Sequence, residues 1–177
     1  MGIRTVRTEG DECLRKVCKP VKSVSLRTRI LIEDMFDTMY ESGGVGLAAP
    51  QIGVLKRIVV MDTDDNQHVL INPQILEVSG EQTGYEGCLS IPGKSGIVTR
   101  PDYVKVKALN ERGEEYILEG EGLLARCICH ECDHLDGILY SDKAEGGLIN
   151  NEDLPDDEEE ELYEDAYEEF TVEEIHK

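Results

Sequence analysis

Residues 122–135, GLLARCICHECDHL, carry two patterns at once, and their overlap decides how the chain is read. The apolar spacing is helical and Gly137 lies just beyond as a stop, so the stretch predicts an α-helix. Inside it, His130-Glu131-Cys132-Asp133-His134 is an HExxH string. At about 100° per residue the two histidines stand about 40° apart, with Glu131 on the same side. Both imidazoles can then reach one ion while the carboxylate moves protons beside it, as a hydrolytic metal site with an open position for water requires. The plainer alternative is two ordinary histidines in a core or at a surface.

A third protein ligand must come from elsewhere, and thiolate is the fitting type because no further histidine lies in a comparably ordered context. Two cysteines compete. Cys127 shares the helix face of His130 and His134. Cys88 sits in Glu86-Gly87-Cys88-Leu89-Ser90, where Gly87 permits close backbone approach, and a ligand from a second segment closes a tetrahedral site more easily. Spacing favours Cys88 and leaves both open. Cys129 and Cys132 project from the opposite face; their CxxC spacing suggests redox or zinc chemistry, but in a helix already claimed by HExxH they read as small buried thiols.

Upstream, apolar residues recur at three and four from Leu26 to Glu41, with Ser25 placed to cap and Gly43 to stop a first helix. The string that follows, GGVGLAAPQIG at 43–53, is rich in glycine but lacks the ending of a phosphate loop, so it is either a ligand-approaching segment or an ordinary turn. Arg57 to Asp62, Val69 to Glu77, Tyr103 to Asn110 and Glu115 to Glu119 read as strands, the last two as a half-exposed antiparallel hairpin. Helix, strands, helix, without repeated strand-helix units, predicts an α+β fold.

The chain of 177 residues fits one domain, placed at 1–150, with an acidic tail at 151–177. Its 40% hydrophobic content suffices for a core and rules out wholesale disorder. The net charge is −20, and residues 152–177 hold 14 acids against one lysine, which leaves −7 on the rest. That sign opposes DNA and anionic membrane surfaces as partners, and no apolar run approaches bilayer length. The first residues lack the apolar stretch of an export signal, so the expected location is the cytoplasm, with the six cysteines as thiols. In the tail, Tyr163, Ala166, Tyr167 and Phe170 share one face of an expected acidic helix.

Three strings in order, GVGLAAPQIG, EGCLS and HECDHLDG, resemble the three signature motifs of the peptide deformylases. The resemblance extends over most of residues 1–142 and implies antiparallel sheets surrounding a central HExxH helix. It implies Cys88, His130 and His134 as metal ligands, with Fe2+ typical and Zn2+, Ni2+ or Co2+ able to replace it. It further implies hydrolysis of the N-formyl group of N-formylmethionyl nascent peptides, releasing formate. Glu131 would be the proton carrier, and the Gln51 amide and the Leu89 backbone N–H the oxyanion donors. Substrate would lie extended along Gly44, Val45 and Gly46 and along Glu86 and Gly87, with methionine in an apolar pocket of Val45, Leu123 and Cys127. The family's usual glutamine before the first motif histidine is Cys129 here. Family members can work beside the ribosomal exit tunnel; proximity to the ribosome is expected, but a tail of charge −13 would be repelled by its RNA. An HExxH endopeptidase is the enzymatic alternative, disfavoured because its third ligand is commonly His or Glu. A non-catalytic metal-binding homologue would need neither Glu131 nor Gln51.

Overall fold

The computed structural model describes residues 2–155, and the expected helix of the acidic tail lies outside them. Helix α1 spans Leu26–Glu41 and is closed at its start by a capping box between Ser25 and Thr28. Strands β1 (Gly46–Ala48), β2 (Ile58–Thr63), β3 (Asn66–Ser79), β6 (Tyr103–Leu109) and β7 (Glu115–Glu121) form one antiparallel sheet in the order β1-β2-β3-β6-β7. A second antiparallel sheet, β4-β5-β8, is built from Gln82–Cys88, Ile91–Arg100 and Glu145–Asn150. Helix α2 covers Gly122–Leu135, as its spacing predicts.

The larger sheet is apolar on both faces where the helices cover it. Leu31, Ile32, Met35, Phe36 and Met39 of α1 pack on Leu47, Ile58, Val60, Val69 and Ile71. On the other face Ala125, Ile128 and Cys129 of α2 meet Val59, Met61, Leu70, Val104 and Val106. The first four residues of β2, Ile58 to Met61, are therefore all fully buried, which explains why the strand reads as a continuous apolar run and not an alternating one. Completely burying a side chain such as Ile128 contributes about 1.5–3 kcal/mol, so these two clusters fix α2 against the sheet.

Four strands lie outside the sequence reading: β1, β4, β5 and β8. Strand β1 and the one-turn helix Ala49–Ile52 occupy the glycine-rich string. Strands β4 and β5 hold Gly84, Gly87, Gly93, Gly96 and Pro92, residues that ordinarily punctuate strands. At Gly96 a Cβ would stand 2.8 Å from Ala144 and 2.9 Å from Leu148, so glycine is what lets the chain after α2 pack across β5. All six cysteines are free thiols. No described helix is long and apolar enough to cross a membrane.

Candidate metal centre

Helix α2 presents His130 and His134 toward the second sheet, and the end of β4 brings up Cys88. The donor atoms of Cys88, His130 and His134 all lie within 4.8 Å of one another, with Cys88 Sγ 3.4 Å from His134 Nε2. Of the two cysteines that helix geometry leaves open, Cys88 is the one grouped with the histidine nitrogens, while Cys127 Sγ faces the Val45 carbonyl at 3.9 Å. A sulfur and two imidazoles suit a borderline-soft divalent ion. Burial holds His134 well below the ordinary imidazole range, so it presents the neutral ring that ligation requires.

Glu131 is next to the donors without being one of them; its Oε1 is 4.0 Å from His130 Nε2, and its Oε2 is buried without a hydrogen-bond partner among the described residues. An orphaned carboxylate oxygen of this kind is costly unless it has a ligand or proton to serve. Complete burial pushes the Glu131 carboxyl up to about 7, into the range where one group can both take and give a proton. The glycine string is what makes room for it. At Gly46 a Cβ would stand 2.7 Å from Glu131 Oε1 and 2.9 Å from Cys127 Sγ, and at Gly44 one would stand 2.7 Å from the Leu89 side chain.

Gln51 is buried, and its orientation is set from both ends. Its Oε1 accepts from the Ala48 N–H at 2.9 Å, so Nε2 faces the site, donating to Ser90 Oγ at 3.0 Å and lying 3.5 Å from Cys88 Sγ. Leu89 sits in the turn between β4 and β5 beside these groups. A cleft of about 590 Å³ opens over the centre, and Gly44, Val45, Gly46, Gln51, Glu86, Gly87, Leu89, Leu123, Cys127, His130 and Glu131 all line it. Strands β1 and β4 are edge strands of their sheets, and both reach this cleft. Cys127 is buried in its wall, and desolvation keeps its thiol protonated. Cys129 is buried in the core packed behind α2, and Cys132 is partly buried against the same core.

Glu86 departs from its simplest reading. Its side chain is turned inward and committed to charged partners, so only its backbone is left to meet a substrate. Oε1 accepts from His130 Nδ1 at 2.8 Å, and Arg100 grips both oxygens at 2.9 Å. Burial opposes its charge, but hydrogen bonds from His130 and Arg100 outweigh that and hold the carboxyl well below the ordinary range. Fixing Nδ1 as the donor leaves Nε2 free to ligate. Arg100 also donates to Asp133 at 2.7 Å, and Tyr140 stacks on the His130 ring with centroids 5.9 Å apart. Sequence reasoning missed the roles of Arg100, Ser90 and Tyr140, because only the fold brings them to Glu86, Gln51 and His130.

The sequence profile described as polypeptide deformylase matches residues 3–147. A peptide deformylase of Agathobacter rectalis is 61% identical over 148 residues, covering 84% of this chain and 94% of that protein. Peptide deformylase 1 of Clostridium acetobutylicum is 58% identical over 143 residues, covering 81% of this chain and 95% of that one. Among solved structures, the peptide deformylase of Legionella pneumophila superposes with a TM-score of 0.79 at 47% identity, covering 82% of this chain and 88% of its own. That of Synechococcus elongatus in complex with actinonin superposes with a TM-score of 0.80 at 41% identity, covering 82% and 81%.

Proposed function

The chain belongs to the polypeptide deformylase family, and from that premise we propose how its residues carry the reaction. It is a metal-dependent hydrolase that removes the N-formyl group from nascent N-formylmethionyl peptides and releases formate. When bound, a divalent ion supplies Lewis acidity to the formyl carbonyl and makes water acidic enough to lose a proton near neutral pH. Cys88 Sγ and the His130 and His134 rings would hold it. We assign Fe2+ from the resemblance; Zn2+, Ni2+ and Co2+ suit the same mixed sulfur and nitrogen donors.

Glu131, whose carboxylate has an oxygen free of protein partners among the described residues, takes the proton from the attacking water and passes it to the methionine nitrogen as the C–N bond breaks. Gln51 Nε2 and the Leu89 N–H donate to the oxygen on which negative charge grows. Substrate backbone adds along Gly44 to Gly46, the start of edge strand β1 and the two residues before it, and along the free edge of β4 at Glu86 and Gly87. Methionine packs on Val45, Leu123 and Cys127, and a buried thiol that stays protonated is an apolar lining there. Cys129 takes no part, because it points into the core behind the helix.

We place the working unit at residues 1–150, which end with β8, and the acidic tail at 151–177. We infer a cytoplasmic enzyme working near the ribosome without docking through its tail, whose charge has the sign of RNA. The observation that carries the reading is the orphaned Glu131 carboxylate beside three clustered donors. Anaerobically purified protein should release formate from formyl-Met-Ala-Ser and leave acetyl-Met-Ala-Ser intact. Cleavage of an internal peptide bond, or no formate from the metal-loaded protein, would refute it.

A further inference from the structure

The wall of the cleft contains an arginine that the reaction does not require. Arg126 lies on α2 one residue before Cys127 and one helical turn before His130, is 8% exposed, and lines the cleft. A free guanidinium there would conflict with an apolar pocket, but this one is turned onto the second sheet. Nη1 donates to Glu86 Oε2 at 2.6 Å and to the Val98 carbonyl at 3.0 Å, and Nη2 reaches the Gln82 carbonyl at 3.4 Å. The oxygen it grips is the opposite one from Oε1, which accepts from His130 Nδ1. Arg100 holds both oxygens of this carboxylate from β5, whereas Arg126 ties Oε2 to α2 itself, the helix that carries His130.

We propose that Arg126 is a positioning residue for the metal centre: by pinning Glu86 Oε2 to α2 and to the carbonyls of β4 and β5, it holds Oε1 on His130 Nδ1. It thereby fixes which ring nitrogen His130 offers to the ion. Because its side chain also lines the cleft, the residue joins the substrate wall to a metal ligand through two contacts, Arg126 to Glu86 and Glu86 to His130. A residue that merely tied α2 to the sheet would need only the two carbonyls.

The inference rests on reading Cys88, His130 and His134 as the metal group, and zinc affinity separates the two claims. Zinc alone is titrated against a chelator, with the melting temperature of the metal-free protein recorded in parallel. Arg126→Met should weaken zinc binding about 10-fold, the lower range for losing an outer partner of a metal ligand, and Arg126→Lys should recover most of it. In a Glu86→Gln background, Arg126→Met should add little further loss, because the two act in series. Unchanged zinc affinity in Arg126→Met would overturn the inference. So would a loss that follows the melting temperature and is not recovered by lysine. If Arg126→Met does not fold, Arg126→Gln, which can still serve a carbonyl but brings no charge to Glu86, takes its place with the same expectation and the same overturning result. Wild-type protein that binds no zinc through these donors would instead refute the metal assignment.

Discussion

The two sheets of this protein are held by different forces and serve different ends. The larger one has helix α1 on one face and α2 on the other, and both interfaces are aliphatic. The smaller one carries Glu86, Cys88 and Arg100, and it meets α2 through buried charges and hydrogen bonds. Among the described residues, a small apolar cluster around Leu14, Ile91, Val98, Leu139 and Tyr140 packs with it. Stability is thus concentrated where no reacting group lies, and chemistry is concentrated where side chains must face the cleft in defined orientations. The helix between them belongs to both, with Ile128 turned to the large sheet and His130 and His134 to the small one.

If this division is right, changes on the small-sheet side of α2 should abolish turnover without unfolding the protein. Glu131→Gln should retain metal and fold while turnover falls by roughly 10³-fold or more, because an amide cannot carry the proton. Loss of metal together with activity would make Glu131 a ligand and erase the distinction. Gln51→Leu should follow with about 10²- to 10³-fold lower kcat at unchanged metal content, as for other single oxyanion donors. Near-wild-type turnover would remove Gln51 from the site. Changes on the large-sheet side should do the reverse. Leu70 is fully buried under α2, and Leu70→Ala should cost about 2–5 kcal/mol of stability by denaturant unfolding while kcat per folded molecule stays the same. A large drop in kcat at full folding would show that packing and chemistry are coupled across the helix.

Legibility in the sequence follows the same division. Both helices and strands β2 and β6 are readable because burial against an apolar layer leaves a regular pattern, and β3 and β7, largely exposed, because β-branched and aromatic residues run between turn residues. The small sheet leaves none: β5 runs Ile91-Pro92-Gly93-Lys94-Ser95-Gly96, where close approach and cleft lining, not alternation, choose the residue. Motif chemistry points to His130, His134 and one of two cysteines as a metal-capable group, whereas nothing in it points to the partners of Glu86. Arg100 lies 14 residues away, Arg126 40 and His130 44, and only the fold brings them to one carboxylate. Helix phase does not separate Cys127 from Cys88, because Cys127 shares the histidines' face and Cys88 lies on another segment; in the structure it is Cys88, at the end of β4, whose sulfur groups with the histidine nitrogens.

That assignment is the point on which the account depends, and metal content tests it most directly. Cys88→Ser and Cys127→Ser, each purified anaerobically with wild-type protein alongside, should differ sharply in bound metal per chain. The serine at 88 replaces a soft, acidic ligand by a hard and far less acidic hydroxyl, so most of the metal and the activity should be lost. The serine at 127 should keep the metal and weaken only methionine binding, by placing a hydroxyl in an apolar wall. Metal retained by Cys88→Ser and lost from Cys127→Ser would contradict the ligand set and the mechanism built on it.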